Sequence, residues 1–299
     1  MWIFLTILYS FLFAVTNYTD ELLAHKNSVE IKKGIFHQIG GVVLFSTLMG
    51  IVSCVVLLML GKVTWSGDYR NIAIAFFSAV PMVVMWIGYF YFLVLYPANK
   101  AVPLFGLTTV WIFAIEIFFG ATVSLIGLIC IIVLIVGAYL VDSATFKLKV
   151  PSFLFFGMVI MTMLWSLSLL MMKQAVNYIG DGNAFFWQFA CVFILGLCMF
   201  VGVRQFRSGF VERIKQQGSF FIGLSMFNEI SAQVTFYLTM LAIAAAPLAA
   251  YSTALASIQV LFVVIIMWLF PISERSRLNN IQILGICCIV LGVGLIQIL

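Results

Sequence analysis

The chain has 299 residues, 65% hydrophobic and only 8% charged, with a mean hydropathy of +1.21. A soluble domain of this length needs more polar surface than that, so the composition excludes one and describes an integral membrane protein. The net charge of +5 is carried by short loops, so it reports orientation in a bilayer and gives no reason to expect a nucleic-acid partner.

Stretches of about 20 apolar residues separated by charged or Gly/Pro-rich breaks mark spanning helices. In chain order they are Trp2–Leu23, Phe36–Leu60, Asn71–Tyr96, Ala101–Phe119, Thr122–Val141, Phe153–Met172, Ala184–Val203, Ser219–Leu241, Pro247–Phe270 and Asn280–Ile298. The expected fold is therefore an all-α polytopic membrane protein with ten transmembrane helices. Without a basic n-region or small-residue cleavage site near Met1, the first segment reads as a retained span rather than a signal peptide. Only "FFGATVS" separates the fourth span from the fifth, and Gly120 supplies the tight turn there. No loop has room for a soluble catalytic domain.

The odd loops hold Lys26, Lys32, Lys33, Lys100, Lys147, Lys149, Arg204, Arg207, Arg213, Lys215, Arg275 and Arg277, whereas the even loops hold only Lys62, Arg70 and Lys173. This bias places the odd loops in the cytoplasm and both termini outside, in a multi-pass protein of the cell (cytoplasmic) membrane.

The second half of the chain echoes the first. "LFAVTNYTDELL" aligns with "LWSLSLLMMKQA", pairing Phe13 with Trp165 and Glu21 with Lys173. "YFLVLYPANKAVPLFGLTT" aligns with "YLTMLAIAAAPLAAYSTAL", pairing Tyr91 with Tyr237 and Pro103 with Pro247. The fifth and tenth spans both end in Gly-punctuated runs, "IIVLIVGAYLV" and "CIVLGVGLIQI". Residues 1–142 and 150–299 thus read as two five-helix repeats. An odd number of spans per copy inverts the second in the membrane, an arrangement used by transporters with a midplane site.

These motifs resemble the drug/metabolite transporter superfamily in its ten-helix EamA type. "LFAVTNYTDELL" matches the family's opening motif at Leu12, Ala14, Asn17, Asp20 and Leu23, and "FGATVS" keeps Gly120 and Ser124 but has Ala121 where the family carries an acid. "FPISERSR" retains an acid, Glu274, and "SIQVLFVV" resembles the ninth helix of bacterial members. The resemblance implies an inverted-repeat secondary transporter. Two features depart from it: Glu21 stands where the family has a lysine, and the charge bias gives an orientation opposite to the usual one.

Polar groups at membrane depth are the candidate site. Glu229 lies near the centre of its span, beside Asn228 and on one helical face with Gln233 and Tyr237. It reads either as a proton acceptor or the partner of a substrate amine, or as a neutral acid bonded to neighbouring helices. About 20 residues from Trp2 cross a 30 Å core, which places Asp20 at the interface as an acidic gate with Asn17 a turn deeper. Glu116 reads as an interfacial gate or a structural acid. Thr108 and Thr109 can contact substrate or bond back to their own helix. Ser252 and Gln259 line a cavity or cross-link helices, and Trp86, Tyr89 and Trp165 form an aromatic wall or pack. The six cysteines lie in apolar runs as packing residues, and His25 and His37 flank a charged loop.

No phosphate loop, metal-ligand spacing or nucleophile–histidine set occurs, so no enzyme activity, cofactor or metal is expected. The expected function is secondary transport of a small organic metabolite, an amino acid-like or amine solute, by alternating access with proton coupling or exchange. The chain would act as a monomer or homodimer in the lipid bilayer. The alternatives are a flippase or transporter of a lipid-linked or nucleotide-sugar intermediate, and a non-transporting membrane partner protein.

Overall fold

The computed structural model describes residues 1–25, 34–65, 68–96, 102–122, 124–142, 152–269 and 280–296. Glu274 and the loop cations Lys26, Lys32, Lys33, Lys100, Lys147, Lys149, Arg275 and Arg277 lie outside them. Every regular element among the described residues is helical: α1 Trp2–His25, α2 Ile35–Leu48, α3 Gly50–Met59, α4 Tyr69–Leu95, α5 Leu107–Phe118, α6 Leu125–Asp142, α7 Ser152–Ile179, α8 Asp181–Gly202, α9 Arg204–Ala245, α10 Ala249–Leu255, α11 Gln259–Leu269 and α12 Asn280–Ile296. Short 3-10 turns precede α5 and α11.

Among the described residues five segments are long and apolar enough to cross a membrane: Trp2–Asp20, Ile35–Met59, Tyr69–Leu95, Ser152–Ile179 and Asp181–Gly202. They coincide with the first, second, third, sixth and seventh spans read from the sequence, and the protein is a helical membrane protein. Elsewhere the helices depart from those spans. Within the second span α2 passes into α3 at Met49, whose backbone stays right-handed helical. The fourth begins as a 3-10 turn, and the ninth divides into α10, a 3-10 turn and α11. The helix carrying the eighth span begins at Arg204, well before Ser219, and is bent at Gly218, whose φ of 51° is left-handed backbone that glycine adopts without strain. Gly120 likewise turns the chain between α5 and α6 with φ 88°, and the Ser124 hydroxyl accepts the Gly127 N–H at 3.0 Å.

The helices carry their hydroxyls without exposing them to lipid. Thr6 donates to the Trp2 carbonyl at 2.9 Å, Ser10 to Thr6 at 2.6 Å, Thr47 to Val43 at 2.8 Å and Thr162 to Met158 at 2.8 Å. Each bond returns a polar group to its own helix, as an apolar solvent requires.

The chain forms two compact units. The first comprises 1–18, 98–166 and 234–299, the second 19–97 and 167–233. Neither follows the sequence halves 1–142 and 150–299; each unit draws on both. In the first unit α6 packs on α12 through glycine: a Cβ on Gly137 would lie 2.9 Å from the Ile289 nitrogen, and one on Gly292 would lie 2.6 Å from the Leu134 side chain. These are the Gly-punctuated runs of the fifth and tenth spans, where small residues let backbones approach. In the second unit α8 packs against α2, α3 and α4. Phe189 of α8 meets Gly50 backbone to backbone, its carbonyl 2.8 Å from where a Cβ on Gly50 would sit.

Candidate functional site

The second unit gathers an acidic cluster. Asp20, on the last turns of α1, is buried. It accepts the Asn228 amide N–H at 2.9 Å, and the Tyr89 hydroxyl of α4 donates to the same carboxyl. Asn228 in turn accepts from the Thr19 hydroxyl. Beside it on α9, Glu229 is also buried and accepts from the Ser46 hydroxyl of α2. One turn further, Gln233 accepts from Ser53 of α3. The Asp20 and Glu229 carboxyls lie near enough to act on one another electrostatically.

A carboxylate offers roughly four acceptor positions. Among the described residues Glu229 uses one, for Ser46, and Asp20 accepts from Asn228 and Tyr89. Among the described residues neither acid has a lysine or arginine partner. Buried carboxyls without a counter-cation must be balanced by a proton or by a bound cation. Chemically, then, the cluster suits proton exchange and the recognition of an ammonium, a donor-only group that spare carboxylate acceptor positions can take.

Of the residues singled out from sequence, Glu229, Asp20, Tyr89 and Gln233 therefore meet in one cluster, and Trp86 is half-buried on α4 in the same unit. The others belong to the first unit. Asn17 is buried on α1, Tyr237 is half-buried on α9, and Trp165 packs its ring 5.4 Å from that of Phe236. The Thr108 carbonyl accepts from Ser166 at 3.1 Å. The Thr108 hydroxyl is buried and makes no hydrogen bond among the described residues, so it does not bond back to its own helix. Ser252 shares its hydroxyl with Thr6 at 2.9 Å and Tyr9 at 3.3 Å, and its carbonyl accepts from Tyr9 at 3.1 Å. It cross-links α1 and α10. Gln259 is half-buried at the start of α11.

Glu116 caps a helix. Its two carboxyl oxygens accept the Ala249 and Ala250 N–H groups at 2.9 and 3.1 Å. Those donors begin α10, whose residue before the first turn, Leu248, has no side-chain oxygen to offer. Glu116→Ala is expected to lower stability by about 2 kcal/mol, because buried donors lose their acceptor. Chemical unfolding in detergent measures it, and the pH profile of any transport should not move.

Sequence reasoning passed over Thr19, Ser46 and Ser53 in the second unit and Thr6 and Tyr9 in the first. Ser46 and Ser53 sit seven residues apart, close to two helical turns, which is the one signal that placed both on a single face. Single hydroxyls in apolar helices are otherwise unremarkable.

At the end of this unit, His37 was read only as flanking a charged loop. Its ring reaches the Glu212 carboxylate at 2.9 Å and the Ser208 hydroxyl at 3.0 Å. Arg213 is buried and donates to the Gln38 carbonyl at 2.7 Å and the Leu23 carbonyl at 3.4 Å, with Phe221 under its guanidinium at 5.7 Å. Leu23 lies in the last turn of α1, where carbonyls lack helical donors and a cation is favoured.

The fold and this cluster define a helical membrane protein with a buried pair of acids. No family model matches the chain, and no curated protein does. A solved structure described only as the crystal structure of a protein is similar to it, with a TM-score of 0.64, 12% identity and 95% of each chain covered. That likeness is one of fold.

Proposed function

We propose that this protein is a secondary transporter of a small organic cation or zwitterion, an amine or amino acid-like solute, built like the ten-helix drug/metabolite transporters. The observation that carries the reading is the buried pair Asp20 and Glu229, which has no lysine or arginine partner among the described residues. Intramembrane acids that face protein rather than lipid are retained for substrate or proton pathways. A solute ammonium and a proton compete for the same carboxyls in this scheme, which couples transport to protons or to exchange.

The ten-span, two-repeat architecture has its own support. In the first half the chain passes from the first unit (1–18) to the second (19–97) and back at 98. In the second half it leaves the first unit after 166, enters the second (167–233) and returns at 234. An inverted internal repeat of five spans accounts for that common order, and for the glycine-mediated pairing of α6 with α12, the fifth helix of each copy. The charge bias supports cytoplasmic odd loops and external termini.

A thermal-shift screen of the purified protein tests the reading, because a ligand that binds only the folded state raises the unfolding temperature. Amines or amino acids should raise it, and nucleotide sugars and polyprenyl lipids should not. A shift with the latter two alone would replace the proposal with transport of a phosphate-bearing intermediate. A second reading, a non-transporting membrane partner, draws on the bonds that Ser46 makes to Glu229 and that Glu116 makes to α10, which satisfy acids internally. It predicts no shift with any solute.

A further inference from the structure

Residues 204–217 form a surface segment between two apolar stretches. The 22-residue helix α8 is long enough to cross a hydrocarbon core of about 30 Å, so the chain reaches an interface at Arg204. The left-handed Gly218 then redirects it. One face of the segment is held on the second unit. Phe206 and Arg213 are buried there, Arg213 spans to the Gln38 and Leu23 carbonyls, and Glu212 is engaged by His37. A Cβ on Gly40 would lie 2.5 Å from the Phe206 Cα, and Gly209 meets the His37 carbonyl. The segment therefore cannot lift away without dismantling these contacts.

The opposite face carries Arg204, Arg207, Val211 and Lys215, spaced three, four and four residues apart and so aligned along one side of the helix. All four are exposed, and none of the three cations pairs with an acid among the described residues. The one acid in the segment, Glu212, is already taken by His37. Exposed apolar side chains border and punctuate the stripe: Val201, Val203, Val211 and Phe220. A soluble acidic protein or a nucleic acid would meet cations without this apolar fringe. The boundary between headgroups and acyl chains requires both.

We propose that the face formed by Arg204, Arg207 and Lys215 is a binding surface for the headgroups of anionic phospholipids, with Val211 and Phe220 dipping toward their acyl chains. The lipid clamps the segment from outside while Arg213 and His37 hold it from within. Lipid charge thereby stabilises the ends of α1 and α2 that the segment grips.

The test compares the full-length protein in nanodiscs of phosphatidylcholine with nanodiscs containing phosphatidylglycerol of the same acyl chains. Thermal unfolding is followed by tryptophan fluorescence. Phosphatidylglycerol should raise the unfolding temperature of the wild type by several degrees, and high salt should remove the rise. In R204Q/R207Q/K215Q the rise should vanish while the temperature in phosphatidylcholine stays at the wild-type value. The charge-preserving R204K/R207K variant should keep it. An equal rise in the triple glutamine variant, or no rise in the wild type, overturns the proposal. So does an equal shift from soluble glycerol phosphate, which would mark a phosphate site and not a lipid surface, or from a soluble acidic peptide, which would mark a protein-docking face.

Discussion

Glu229→Gln is expected to weaken binding of a cationic solute about tenfold or more while leaving the fold intact. The amide is nearly isosteric, and its oxygen can still accept from Ser46, so the cross-link between α9 and α2 survives. What disappears under the proposed function is one of the two acids available to an ammonium, and a hydrogen bond to a charged group contributes about 1.5–3 kcal/mol. Asp20→Asn should act in the same direction and additionally disturb the Asn228 and Thr19 relay. Because the two acids influence one another, the double variant should lose less than the sum of the single losses. Thermal-shift titration with the solute reads all three, and a Glu229→Gln protein with unchanged affinity would remove the acid pair from the site.

A large effect on stability is expected at Gly40. A Cβ there would lie 2.5 Å from the Phe206 Cα and 2.9 Å from its carbonyl oxygen. Both are backbone atoms, so relief requires moving α2 away from the surface segment rather than turning a side chain. Gly40→Val should destabilise by about 3 kcal/mol, the upper part of the range for overpacked cores. It should also loosen the grip of Arg213 on Gln38 and Leu23 next to it. Gly223→Ala on α9 is the matched control. Nothing lies within 4 Å of its added Cβ, and alanine favours helix, so it should be neutral or slightly stabilising. Equal unfolding temperatures for the two variants would mean that α2 and residues 204–217 do not pack as described.

Much of the helical frame was legible because lipid imposes a single rule, a long apolar run per crossing, and five such runs are long helices here. Gly120 was legible as a turn because nothing else separates two apolar runs. The burial of Glu229 was legible from its position mid-run. Asp20 was not, since counting residues from Trp2 locates a group along a helix axis without saying what covers it. Its burial depends on Asn228 and Tyr89, which lie far away in sequence. The division of the ninth span into α10, a 3-10 turn and α11 had no signal, because "ALASIQV" contains neither glycine nor proline. The cap that Glu116 supplies to the start of α10 was hidden for another reason: the helix start at Pro247 was visible, but its acceptor lies 133 residues away in the sequence.

Counterflow in proteoliposomes tests the central claim most directly. Vesicles loaded with the amine or amino acid that gives the largest thermal shift are diluted into trace labelled solute, with and without an imposed pH gradient. The proposed mechanism predicts accumulation of label by the wild type, modulation by the gradient, and loss of both in Glu229→Gln. Failure of the wild type to exchange any solute that stabilises it, or exchange by Glu229→Gln at the wild-type rate across the same gradient, would contradict it.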